Sequence, residues 1–147
     1  MSSSPPGGTA AAPQRPLPAF PEPDTEPFWA ATSDHRLTYQ VCLACGQVVF
    51  HPRRHCPGCL DANLEWRESA GRGRVYTFTV IRQHGHPFFR ARTPYVVGLI
   101  DLTEGFRMLA EIAASPDAVR VGQSVNVEWE DHGQLSIPVF HPAEGGS

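Results

Sequence analysis

All the cysteines of this chain fall within "CLACGQVVFHPRRHCPGC", and they constrain its folding more than any other feature. Cys42, Cys45, Cys56 and Cys59 form two Cys-x-x-Cys pairs separated by ten residues. Two residues between thiols make a tight knuckle that turns both sulfurs to one side. Gly46, just behind the first pair, tolerates the positive φ such a turn requires. Two knuckles brought together offer four thiolates at tetrahedral spacing, the donor set of zinc. Four protein ligands leave no position open for substrate, so the expected role is one structural zinc ion, stapling a unit with little core of its own. An electron-carrying iron site uses similar ligands and stands as a rival reading. In either case no thiol remains for nucleophilic catalysis.

Composition narrows the function further. The formal net charge is −3, which provides no basic field to attract nucleic acid or anionic lipid. No apolar run approaches the roughly 18 residues of a membrane span. The opening "MSSSPPGGTAAAPQRPLP" lacks both the charged and the apolar region of a secretory signal. The expectation is a cytoplasmic protein, where reduced thiols favour metal over disulfide. All 12 basic residues are arginine, so neither a lysine Schiff base nor a lysine general base is available.

Along the chain, residues 1–23 are rich in Ser, Pro, Gly and Ala and read as a disordered tail or linker. Residues 24–36 read as a short helix. Asp24 or Thr25 can cap it, Glu26 suits its positive end, Pro27 fits its first turn, and Phe28 and Trp29 give it an apolar face. Residues 37–69 hold "LTYQV", "VVF" and "LEWRES", short strands of the cysteine-tied unit. Residues 70–142 are all β: "GRVYTFTVIRQ", "PYVVGLIDL", "FRMLAEIA", "SVNVEWED" and "LSIPVF". In the first of these, Tyr76, Phe78 and Val80 alternate against Val75, Thr77, Thr79 and Ile81. Five short strands suit a small closed barrel, and "SPDAVRVG" allows a helical turn between the third and fourth, the OB-fold arrangement. Residues 143–147 are a tail. The fold class is mainly β: a short helix, a zinc ribbon and a five-stranded OB-fold barrel.

Other candidate chemistry is sparse. His84 and His86 flank Gly85 in the loop "RQHGHPFFRART", without a clear third ligand or carboxylate partner. Phe88 and Phe89 beside them suggest a contact surface. Arg90 and Arg92, with Arg72, Arg74 and Arg82, offer cations to phosphates, dispersed surface charge being the plainer reading. His51, Arg53, Arg54 and His55 read as a solvated ribbon edge. Tyr76, Phe78 and Trp129 would suit a platform for single-stranded nucleic acid, but the acidic balance and absence of lysine argue against that partner. No nucleophile elbow, P-loop or dinucleotide fingerprint is present.

The order "PFW", the cysteine ribbon, "GRGRVYTFTVI", "PYVVGLIDL" and "VGQSVNVEWED" resembles the acyl-CoA-associated family in which a rubredoxin-like zinc ribbon precedes an OB-fold. The resemblance spans residues 20–142. It implies zinc at the four cysteines and a non-catalytic accessory role beside a thiolase-superfamily enzyme. Some members bridge acetoacetyl-CoA thiolase to hydroxymethylglutaryl-CoA synthase. Others end a steroid enoyl-CoA hydratase subunit and pair with a thiolase-like aldolase, which releases propionyl-CoA from a 17-hydroxy steroid CoA ester. The Pro- and Ala-rich opening and "HGHPFFRARTPY" lean towards the second group. The chemistry of this loop, taken with the resemblance, leads to the expectation of contact with partner or substrate through His84, His86, Phe88, Phe89, Arg90 and Arg92. The resemblance implies a hetero-oligomer with two copies on a partner dimer and supplies no catalytic residue for this chain.

Overall fold

The alternation of "LTYQV" places Tyr39 and Val41 on one face and Gln40 and Cys42 on the other, and the fold buries both. Strand β1 (Thr38–Cys42) is buried along its whole length because it is the central strand of a three-stranded sheet. Its antiparallel neighbours are β2 (Val48–Val49) and β3 (Leu64–Glu68). The Gln40 side-chain amide holds the insert to this sheet: its oxygen accepts from Arg53 N at 2.8 Å and its nitrogen donates to Arg53 O at 3.1 Å. The computed structural model describes residues 14–17 and 23–143. Most of the expected tail over 1–23, and residues 144–147, lie outside them.

Helix α1 (Glu26–Thr32) precedes the ribbon, with Pro27 in its first turn as expected. Capping differs from the sequence reading. Thr25 holds the cap position in a helical conformation, φ −111° and ψ −7°, and makes no side-chain cap bond. An N-cap hydroxyl normally reaches the free amides from an extended backbone. Asp24 instead accepts from Arg54 Nε at 3.0 Å, tying the helix entrance to the ribbon insert. At the other end Thr32 is fully buried, donating to Trp29 O at 2.6 Å and accepting from Ser136 N at 3.0 Å.

Five strands close the barrel in the order β4-β5-β6-β8-β7. They are β4 (Arg72–Ile81), β5 (Tyr95–Leu102), β6 (Arg107–Ile112), β7 (Ser124–Asp131) and β8 (Ser136–Pro142). Helix α2 (Pro87–Arg90) joins β4 to β5, and a single 3-10 turn over Pro116–Ala118 joins β6 to β7. The strand set, the closed barrel and the helical link agree with the OB-fold reading.

The phase of β4 does not follow simple alternation. Its register against β5 slips between Val75 and Thr77, a β-bulge that gives Tyr76 no partner of its own. Val75 before the bulge is buried, and Phe78 and Val80 after it pack on the same core. Tyr76, placed with them by alternation, is 50% exposed and carries Arg107 over its ring at 3.5 Å. One extra residue switches the faces.

Ribbon and barrel share one core. Phe28, Leu37, Tyr39 and Val41 cluster with Val75, Ile100, Met108, Ile112 and Phe140. Phe106 mediates the junction, stacking on Tyr39 at 5.0 Å and on Phe50 at 4.9 Å. The connection passes through Gly71, whose φ is +75°. A Cβ there would lie 2.4 Å from Val127 Cγ1.

Candidate metal centre and the α2 loop

The two knuckles repeat one geometry. Gly46 N donates to Cys42 O and Leu60 N to Cys56 O, each at 2.8 Å. Cys42 N donates to Gln47 O and Cys56 N to Asp61 O, each at 2.9 Å. Gly46 has φ +81°, as its position after the first pair predicts, and Leu60 holds the matching place with φ +68°. Cys42 and Cys56 are buried, whereas Cys45 and Cys59 face outwards.

All four sulfurs lie within 4.8 Å of one another, with Cys42–Cys59 at 3.6 Å and Cys45–Cys56 at 3.7 Å. A zinc–thiolate bond of about 2.3 Å places tetrahedral sulfurs about 3.8 Å apart, so spacing and donor set fit a zinc site. The surroundings as a whole favour charge at Cys56. The amide of Cys59 and, against the opposing effect of burial, that of Gly58 bring the Cys56 thiol down to about 7. Gly58 N donates to Cys56 Sγ at 3.3 Å. Cys59 is pushed the other way, to about 12: the Asp61 amide favours its thiolate, but hydrogen bonding with Cys42, loss of solvent and hydrogen bonding with the remaining thiols outweigh it. Four sulfurs this close favour joint deprotonation only around a cation.

The second cluster surrounds α2. His86 caps this helix, its Nδ1 accepting from Phe88 N at 3.1 Å, and His84 Nδ1 accepts from His86 N at 3.0 Å. Among the described residues neither imidazole pairs with a carboxylate, so the two histidines shape the loop. Arg90 is committed to the same loop, with Nη2 donating to Gly85 O at 2.6 Å. Arg92 pairs with Glu111 and lies 5.1 Å from the Phe88 ring centre. Arg72, Arg74 and Arg82 are exposed, as dispersed surface charge would be. Phe88 and Phe89 are half-buried and meet edge to face at 5.1 Å, and Phe89 also touches Tyr95 at 5.8 Å. Phe78 packs towards the core and Trp129 stacks on His35 at 5.7 Å, so the three aromatics considered for nucleic-acid stacking do not form one open platform.

Three residues of this cluster escape sequence reasoning: Arg15, Glu111 and Glu130. Arg15 Nε donates to Glu130 Oε2 at 3.0 Å, and its Nη2 donates to Glu130 Oε1 at 2.9 Å and to Glu111 Oε1 at 3.1 Å. The one available signal was that Arg15 is the sole charged side chain in residues 1–21. No helix among the described residues is long and apolar enough to cross a membrane.

Comparison with known proteins matches both parts. Residues 29–65 match the family described as ChsH2, rubredoxin-like zinc ribbon domain, and residues 66–130 match ChsH2, C-terminal OB-fold domain. A probable enoyl-CoA hydratase alpha subunit of Thermomonospora curvata is 37% identical over 88% of this chain and 40% of its own length. The 3-oxo-4,17-pregnadiene-20-carboxyl-CoA hydratase alpha subunit of Mycobacterium tuberculosis is 33% identical over 82% of this chain and 38% of its own. Benzoylsuccinyl-CoA thiolase subunit BbsA of Thauera aromatica is 32% identical over 66% of this chain and 67% of its own. The present chain thus spans about two fifths of the hydratase subunits. Among solved structures, a chain of the Ltp2-ChsH2(DUF35) aldolase superimposes with a TM-score of 0.76 and 33% identity, over 85% of this chain and 98% of that one.

Proposed function

This chain belongs to the family that joins a ChsH2-type zinc ribbon to a ChsH2-type OB-fold, and from that premise we propose that it is a non-catalytic accessory subunit or domain of a thiolase-superfamily enzyme acting on acyl-CoA esters. The observation that carries this reading is the likeness, over nearly the whole of the matched chain, to a component of an aldolase complex. The thiolase subunit among its relatives supports the class of partner. The pregnadiene-carboxyl-CoA hydratase relative supports the finer assignment, a steroid side-chain aldolase in bacterial sterol degradation.

The reaction we assign to the complex is a retro-aldol cleavage. The 17-hydroxyl of a steroid CoA ester loses its proton as the bond to the thioester α-carbon breaks. The electron pair passes to that α-carbon, which takes up a proton, leaving a 17-ketone and propionyl-CoA. The base and the proton donor belong to the partner. In this chain the Nδ1 atoms of His84 and His86 accept from loop amides, and the four cysteines form a closed donor set. We assign one zinc ion to Cys42, Cys45, Cys56 and Cys59, where it would hold the two knuckles together. Thiols at metal-binding spacing also support a cytoplasmic location.

The loop bearing His84, His86, Phe88, Phe89, Arg90 and Arg92 is the surface we assign to the partner, with one copy on each subunit of a dimer. The test is co-expression with thiolase-like candidates, affinity capture, and assay with 17-hydroxy steroid CoA esters. Turnover is expected from the complex and not from this chain alone. Phe88→Ser with Phe89→Ser should weaken complex formation by about 1.5–3 kcal/mol per ring buried while zinc content stays constant. Turnover by the purified chain alone, lost on a His84 or His86 substitution, would overturn the accessory role. Unchanged affinity in a folded double variant removes the loop from the interface.

A further inference from the structure

Gln14–Leu17 lies in the stretch whose composition suggests a tail, yet one of its side chains is among the least exposed charged groups of the described residues. The Arg15 side chain is 8% exposed, while Gln14, Pro16 and Leu17 around it are exposed. A segment that buries a single side chain is held by that side chain. Arg15 precedes Pro16, which biases its backbone to an extended conformation.

The surroundings complement a guanidinium in charge, plane and donor direction. Glu130 takes Nε and Nη2 in a two-toothed pair, and Glu111 takes Nη2 from another strand. The Phe88 and Phe89 ring centres lie 4.9 and 5.3 Å from the guanidinium carbon, supplying aromatic walls. The remaining carboxylate contacts brace the pocket, with Glu111 Oε2 held by Arg92 and Glu130 Oε2 by His132 at 2.8 Å. Two glutamates thus face two arginines. Removing Arg15 leaves the pocket one positive charge short.

We propose that the barrel carries a guanidinium-binding pocket walled by Phe88, Phe89, Glu111 and Glu130, whose ligand is Arg15 of the chain's own proline-flanked segment, and that this contact latches the segment onto the barrel. The titration of the partners agrees. Burial works against charge on both, but the hydrogen bonds outweigh it, raising Arg15 and lowering Glu130 from their ordinary ranges. Lysine would not serve, since a point charge reproduces neither the two-toothed pair nor the stacked plane. The inference concerns the isolated chain and does not rest on the proposed partner.

The test uses the full chain and two independent readouts. In the wild type, NMR should show an Arg15 Nε–H protected from exchange and δ-protons shifted upfield by the two rings. Arg15→Ala, Glu130→Gln and the double variant should form a non-additive cycle, each single change lowering Tm by several degrees and the second adding little. Arg15→Ala chain should then bind the free peptide APQRPLP in trans, shifting the Phe88 and Phe89 resonances, and bind APQKPLP several-fold more weakly. Arg15 signals at solvent-exposed values, additive Tm losses, or equal responses to the two peptides would each overturn the proposal. Should Glu130→Gln fail to fold, the wild-type spectrum and the peptide pair still decide it.

Discussion

The metal end of the ribbon and the closed barrel are both antiparallel in most of their pairings, yet their interiors are built from different materials. The buried cluster at the metal end consists of Cys42, Val49 and Cys56, with Leu64 partly covered. The barrel cluster contains aliphatic and aromatic side chains from all five strands, and it also takes in Phe28, Leu37, Tyr39 and Val41. The dividing line therefore runs through β1, leaving Tyr39 and Val41 on the barrel side and Cys42 on the metal side. A motif boundary in sequence is here not a boundary in packing. One end of the ribbon is built around four thiols whose spacing fits a zinc ion, and the other is an extension of the barrel's apolar core.

The sharpest way to break this comparison is to remove the zinc assigned to the four thiols. Cys42→Ser, or chelation, should abolish zinc binding worth on the order of 10 kcal/mol to the knuckles. Amide exchange should then accelerate across residues 42–60 while Val96, Ile100 and Phe140 stay protected. Simultaneous loss of protection in the barrel would show that the two regions form one cooperative unit.

The connection between them is the next place to press. Gly71→Ala combines a positive φ with a Cβ 2.4 Å from Val127 Cγ1, so it should cost ~2–4 kcal/mol in denaturant melts. Gly46→Ala has a φ of +81° but open space around the new Cβ, and should cost only ~1 kcal/mol, read as weaker zinc retention. Equal costs would mean that backbone strain, rather than contact with the barrel, governs both sites.

A smaller effect distinguishes the knuckles themselves. Leu60 occupies the place matching Gly46 with φ +68° and is 74% exposed. Leu60→Gly should relieve strain at little packing cost and strengthen zinc retention by at most ~1 kcal/mol in a chelator competition. Weaker retention would show that the leucine side chain supports the knuckle.

The smallest effect concerns pH at the helix–barrel contact. Asp131 accepts from Ser136 Oγ at 2.7 Å and pairs with His35 Nε2 at 2.6 Å. The His35 hydrogen bond, followed by that of Ser136, holds its carboxyl below the ordinary range. A depressed carboxylate stabilises the fold above its unfolded value, roughly pH 4, and that contribution disappears as pH falls through the folded value. Asp131→Asn should therefore lower Tm slightly at neutral pH and converge with the wild type in acid. A difference that persists in acid would assign the effect to packing.

The amino-acid sequence determined the parts whose physics is local. Thiol spacing specified the knuckles and their shared donor set, Gly46 marked the turn, and apolar alternation located the strands around the helical link, because each depends on neighbours a few bonds away. Only the tertiary structure decided where Tyr76 points, since a bulge is set by pairing with β5. It alone joined half the ribbon to the barrel core, and it turned Asp24 from a potential cap into an ion-pair partner of Arg54. Arg15 shows the reason most plainly. Its partners Glu111 and Glu130 lie 96 and 115 residues away, and no local pattern encodes a contact that exists only once the barrel has closed.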